Sequence, residues 1–138
     1  MPAFGKRALL SALALALLLP VTVTASDTIA LISPADLLMK LGQPGFLLLD
    51  VRTPEEFAAG HIAGAVNIPH DQLANSASRL PKKDGNTEIA VYCRSGRRSA
   101  LALDWLGTQG YQRLWHLDGD FLGWQAAGRP VTTEPAAR

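Results

Sequence analysis

"EIAVYCRSGRRSALALDWLGTQG", residues 88–110, decides the fold class. Its opening run, Glu88 to Cys93, is almost wholly apolar and too short for a helix, so it reads as a strand buried on both faces. The segment from Arg98 onward changes period. Leu101, Trp105 and Leu106 are expected on a shared helical face, with Gly110 just past the helix end. Between the two lies a polar loop holding the only cysteine of the chain, Cys93, with Arg94, Arg97 and Arg98 around it. A strand that passes directly into a helix is the repeating unit of a parallel sheet.

The flanking sequence repeats that alternation. "TIALI" (28–32) reads as a short strand, and "SPADLLMKLG" (33–42) as a helix with Ser33 as cap, Pro34 in the first turn and Gly42 closing it. "FLLLDV" (46–51) is a second buried strand. "TPEEFAAG" (53–60) repeats the helix signature, with Thr53 as cap and Glu56 at capping-box distance. "AVNIP" (65–69) reads as a strand, "DQLANSASRL" (71–80) as weakly amphipathic, and "KKDGN" (82–86) as an exposed turn. "RLWHLD" (113–118) is a further strand and "DFLGWQAAG" (120–128) a short helix. The expectation is an α/β domain of three layers, a mainly parallel central sheet flanked by helices. In such sheets ligands gather beyond the carboxyl ends of the strands, where Cys93 lies.

The chain has 138 residues and a formal net charge of +1. Its first part reads as a cleaved export signal: Lys6 and Arg7, an apolar stretch from Ala8 to Leu19, a break at Pro20, and small residues at Val23 and Ala25 before Ser26. The stretch from Ala8 to Leu19 falls short of the roughly 20 residues of a spanning helix. The expected organisation is therefore a signal peptide over 1–25, cleaved after Ala25, and one domain over 26–138. That domain would be exported to the periplasm, with no membrane attachment after cleavage. It would carry eleven basic and twelve acidic side chains, with no basic face of the kind that binds nucleic acid. An oxidising compartment pairs cysteines into disulfides, and Cys93 has no partner in the chain. It is either an inert buried thiol or a reactive one.

The loop favours the reactive reading. The amides of residues 94–98 can curl inward as a nest, and the following helix presents its positive end to the same point. Arg94, Arg97 and Arg98 add permanent positive charge. Each of these favours thiolate over thiol, and a thiolate ringed by donors is a nucleophile. Gly96 allows the sharp turn without filling the bowl with a side chain.

"CRSGRRSA" (93–100) resembles the active-site loop of the rhodanese-type sulfurtransferases. "LLLDVRTPEEFAAGHIAGAVNIP" (47–69) is similar to their signature of Asp-Val-Arg, a spaced Glu, Gly-His-Ile, Gly-Ala and Asn-Ile-Pro. "LDGDFLGWQAAGRPV" (117–131) resembles their C-terminal block. The resemblance spans residue 29 to about 131. It implies that Cys93 takes sulfur from a small-molecule donor such as thiosulfate, forms a persulfide, and yields it to cyanide, a thiol or a protein acceptor, without a cofactor. Arg94, Ser95, Gly96, Arg97 and Arg98 would form the persulfide and donor-binding loop, with Arg94 and Arg98 the first choices for the donor's sulfonate. The chain is similar to the periplasmic, phage-shock-type members of that family.

Two other functions remain open. One is a persulfide carrier or sensor that serves a protein partner. The other is a cysteine phosphatase, which places five residues between Cys and Arg, whereas here the sixth residue after Cys93 is Ser99 and Arg98 comes one place early. In the middle block Asp50, Arg52 and Glu56 read as a structural salt-bridge network, because buried charges survive by pairing. His61 is expected to hydrogen-bond neighbouring backbone. His70 and His116 have no partners at metal-ligand spacing, and no metal site is expected. Trp105, Trp115 and Trp124 read as core or pocket wall. Where many relatives carry Gly-Gly before the last helix, this chain has Gly119 and Asp120, which bears on donor affinity if the second position needs positive φ.

Overall fold

A computed structural model describes residues 29–136, so the expected signal segment and its cleavage site lie outside the described residues. Strands β1 (Ala30–Ile32), β2 (Phe46–Asp50), β3 (Val66–Asn67), β4 (Glu88–Tyr92) and β5 (Arg113–Leu117) form one sheet. Their order is β1-β5-β4-β2-β3, and every pairing is parallel. Helices α1 (Pro34–Lys40), α2 (Pro54–Ala59), α3 (Arg97–Thr108) and α4 (Asp120–Ala126) connect and cover it. The stretch after β3 forms two 3-10 segments, His70–Gln72 and Ala74–Arg79, rather than an α-helix.

Local chemistry explains where the helices start. The Ser33 hydroxyl accepts the Asp36 N–H at 3.1 Å, with Pro34 in the first turn. Thr53 and Glu56 form a reciprocal capping box: the Thr53 Oγ1 accepts the Glu56 N–H, and the Glu56 Oε2 accepts the Thr53 N–H at 2.9 Å. Both bonds satisfy amides that the first helical turn leaves without partners.

The central strands β2 and β4 lie in register, with Leu49 opposite Val91 and Asp50 opposite Tyr92. Alternate residues divide between the two faces, as the pleat demands. Leu49, Ile89, Val91 and Cys93 pack towards α3 with Ala102, Leu103 and Leu106. Leu48, Ala90 and Tyr92 pack the other way, with Leu37 of α1 and with Phe121 and Trp124 of α4. The continuous apolar strands thus serve two layers at once, which is the three-layer α/β architecture expected.

One expected face differs. Leu101 is 54 % exposed, and the sheet-facing stripe of α3 is Ser99, Ala102, Leu103 and Leu106. Residues at spacings of three and four share a face, and Leu101 is a step off that stripe. The small Ser99 and Ala102 mark it less visibly than a leucine would. Leu103→Ala should lower stability by about 3 kcal/mol. Leu101→Ala should change it by less than about 0.5 kcal/mol. Urea unfolding of the two variants checks the assignment.

Candidate active site

Cys93 follows the last residue of β4, and its backbone is committed on both sides. Its N–H donates to Asp120 Oδ1 at 3.0 Å, and its carbonyl accepts the Phe121 N–H at 3.0 Å. The Arg94 carbonyl accepts the Leu122 N–H at 3.1 Å. The first turn of α4 therefore holds the end of β4 and the start of the loop. The side chain of Cys93 turns towards α3 and is 1 % exposed.

The loop folds back over the sulfur. The Gly96 N–H points at Cys93 Sγ from 3.0 Å and the Ser99 N–H from 3.4 Å. Gly96 is the N-cap of α3 with φ +119, a conformation that disfavours any Cβ, and no side chain caps this helix. The sulfur occupies the capping position instead. Free first-turn amides carry the positive end of the helix dipole, so a negative sulfur is the atom best suited to that place.

The three loop arginines go different ways. Arg98 forms a two-point pair with Glu56, with contacts of 2.6 and 3.0 Å. Its charge is strengthened first by that bond and further by the neighbouring Cys93. Arg94 is exposed and lines a cleft of about 320 Å³ with Arg52, Glu56, Phe121 and Val131. Arg97 is exposed and lines a different cleft with Leu101 and His116. Ser95 is exposed at the loop tip.

The acidic and basic residues of the middle block divide into two pairs rather than one network. Asp50 and Arg52 are buried together, with an Nη2–Oδ2 contact of 2.6 Å, and Arg52 also donates to the Gly60 carbonyl at 2.8 Å. Its guanidinium stacks 4.0 Å from the Phe121 ring centre. Glu56 instead reaches across to Arg98. His61 is buried, its Nδ1 lies 2.8 Å from the Phe57 carbonyl, and its ring stacks on Phe57 at 3.6 Å.

Sequence reasoning did not single out Ser99 or His116 as parts of this centre. Ser99 is fully buried and donates its hydroxyl to Asp120 Oδ1 at 2.9 Å, while His116 Nε2 sits 2.9 Å from Asp120 Oδ2. The available signal was the i,i+4 spacing of His116 and Asp120 across the turn from β5 into α4. Asp120 adopts φ +53, the one positive-φ residue other than glycine among the described residues. Among the described residues no group of three or more His, Cys, Asp or Glu is placed to hold a metal ion.

The model of the Rhodanese-like domain matches residues 33–127, which covers both central strands, the Cys93 loop and α4. The chain belongs to the rhodanese-like family. A sulfurtransferase of Allochromatium vinosum is 39 % identical over 85 residues, covering 62 % of this chain and 77 % of that protein. An uncharacterized protein of Synechocystis is 36 % identical over 108 residues, and this rhodanese-like chain spans only 59 % of its length. The solved thiosulfate sulfurtransferase of Pseudomonas aeruginosa superposes with a TM-score of 0.68 at 31 % identity, over 77 % of this chain and 20 % of that one. Sulfur transfer is thus the activity represented among the family's members, and small sulfur donors and acceptors are the substrates it implies.

The Arg98 pair holds the Glu56 carboxyl at about 2, well below its ordinary 4.5. A lowered carboxyl value means stabilisation that is complete above pH 4.5 and lost as the pH falls towards 2. Glu56→Gln keeps the cap but not the charge. It should cost about 1 kcal/mol at neutral pH, the scale of a partly exposed pair. In urea melts against pH, the gap to wild type should close under acid, whereas a gap that persists would assign the loss to packing.

Proposed function

We propose that this domain is an exported sulfurtransferase that moves sulfane sulfur from an anionic donor such as thiosulfate to cyanide or a thiol through a persulfide on Cys93. The observation that carries this reading is the convergence of the Gly96 and Ser99 amides on the Cys93 sulfur, at 3.0 and 3.4 Å. Two donors aimed at one sulfur stabilise an anion there in the free enzyme, and again when that anion is a persulfide.

In the first half-reaction the Cys93 thiolate attacks the outer sulfur of thiosulfate. A bond forms between the two sulfurs, and the donor's own sulfur–sulfur bond breaks. Sulfite leaves with that electron pair. In the second, the carbon of cyanide attacks the outer sulfur of the persulfide, thiocyanate departs, and the electrons return to Cys93 as thiolate. The cycle needs no redox cofactor. The enclosed sulfur favours a donor that presents a single terminal atom over a phosphoryl group that must be wrapped on three oxygens. The donor's sulfonate is assigned to Arg94, a reading supported by its exposure on the cleft. Arg98, paired to Glu56, contributes a fixed positive charge beside the sulfur.

Export rests on the Lys6–Arg7 start, the Ala8–Leu19 stretch and the small residues before Ser26. Expressed in a bacterium with its own leader, the protein should be recovered from the periplasm beginning at Ser26. Recovery from the cytoplasm with Met1 in place would refute that part.

The chemistry is tested by intact-mass analysis. Thiosulfate should add one sulfur atom to the wild type, and cyanide should remove it with release of thiocyanate. Cys93→Ser should gain nothing. A wild type that stays unmodified under excess thiosulfate would end the proposal.

A further inference from the structure

Asp120 puts a carboxylate behind the loop. One of its oxygens accepts both the Cys93 N–H and the Ser99 hydroxyl, at 3.0 and 2.9 Å. That single atom ties the residue opening the loop to the first turn of α3. The other oxygen faces His116 Nε2 at 2.9 Å. A Cβ placed on Gly96 would lie 3.0 Å from this second oxygen and 3.5 Å from the imidazole Cε1. Gly96 therefore lies between the pair and the sulfur, which its own N–H reaches at 3.0 Å.

We propose, building on the sulfur-transfer reading above, that Asp120 and His116 form a positioning unit for the Cys93 loop whose net charge is set by His116. The cup then accepts anions while the imidazole carries a proton and disfavours them once it does not. Neither residue touches a donor, and both act through the loop they support.

The charges around His116 fit this role. Asp120 approaches from α4, Asp118 from the turn after β5, and Arg97 and Asp104 of α3 line the same cleft. The hydrogen bond from Asp120 raises the imidazole above its ordinary 6.5, burial opposes it, and the charges of Asp120 and Asp118 add to the rise. Burial pushes Asp120 up, but the bonds from His116, Cys93 and Ser99 carry it below its usual value, so it stays ionised. The pair is neutral below the raised His116 value and carries one negative charge above it. A negative charge behind a cup of donors opposes the entry of an anion.

The test compares alkylation of Cys93 by iodoacetate, an anion, and by iodoacetamide, which is neutral. The ratio of the two rates cancels the thiolate fraction and reports the local potential alone. In the wild type the ratio should fall about fivefold in a step above pH 6.5, the effect of one nearby charge. In His116→Gln, which keeps a hydrogen-bond donor without a titrating charge, the step should vanish. In Asp120→Asn, which tolerates positive φ and keeps an oxygen for the Cys93 amide, the step should move to lower pH. His116→Gln must keep the wild-type urea midpoint, because a loss of structure would also flatten the ratio. The proposal is overturned if the wild-type ratio is flat from about pH 6 to about pH 9, the range in which histidines titrate. It is equally overturned if His116→Gln keeps the step. Should Asp120→Asn fail to fold, the wild type and His116→Gln decide. No sulfur donor enters this assay, so a failed persulfide experiment and a failed charge step are separate results.

Discussion

The site depends on how the end of one strand is held. A residue just past a strand normally has a free backbone, and its side chain direction then drifts with the loop. Cys93 has neither freedom, because its amide is bonded to the Asp120 carboxylate and its carbonyl to the Phe121 amide. With the backbone fixed, the pleat decides the rest. Cys93 continues the Ile89–Val91 face and points its sulfur under α3. The loop closes over an atom whose place is already set, and the Gly96 and Ser99 amides meet it there.

The same carboxyl edge of the sheet concentrates buried charge. Asp50 ends β2 next to Tyr92 of β4, and its partner Arg52 crosses to the Gly60 carbonyl and the Phe121 ring. Taking two charges out of water costs several kcal/mol each, which only good geometry and full hydrogen bonding offset. Arg52 has both, with three contacts to Asp50 between 2.6 and 3.1 Å. This pair joins β2, the turn after α2 and α4, while Glu56 and Arg98 join α2 to α3. All the helices that frame the loop are thereby referred to one another by charge as well as by packing. Arg52 lines the cleft, and neither it nor Asp50 hydrogen-bonds the sulfur.

The elements were legible because each carries its own punctuation: Ser33 and Thr53 as caps, Pro34 and Pro54 in first turns, apolar runs of strand length. The loop was legible because a lone cysteine among arginines, between strand and helix, has few physical uses. Leu101 misled because size is a poor guide when the buried stripe is built from Ser99 and Ala102. Asp50, Arg52 and Glu56 read as one cluster because they are close in sequence. Which carboxylate meets which guanidinium depends on the approach of α3, and spacing along β2 and α2 holds no trace of that. Ser99 and His116 stayed hidden for the same reason, since their meaning comes only through Asp120.

Asp120 shows how a local cost marks a working position. A side chain at φ +53 gives up about 1 kcal/mol relative to glycine, somewhat less for aspartate. Burying a carboxylate adds to that cost. The residue nevertheless makes three hydrogen bonds, to Cys93, Ser99 and His116, and bonds to a charged group contribute about 1.5–3 kcal/mol each. Together these bonds offset the strain and the burial of the aspartate. The conformation that glycine adopts freely is therefore held here by contacts. Those contacts run from the end of β4, through the first turn of α3, to the end of β5, so the geometry of the sulfur is shared among the three central segments of the fold.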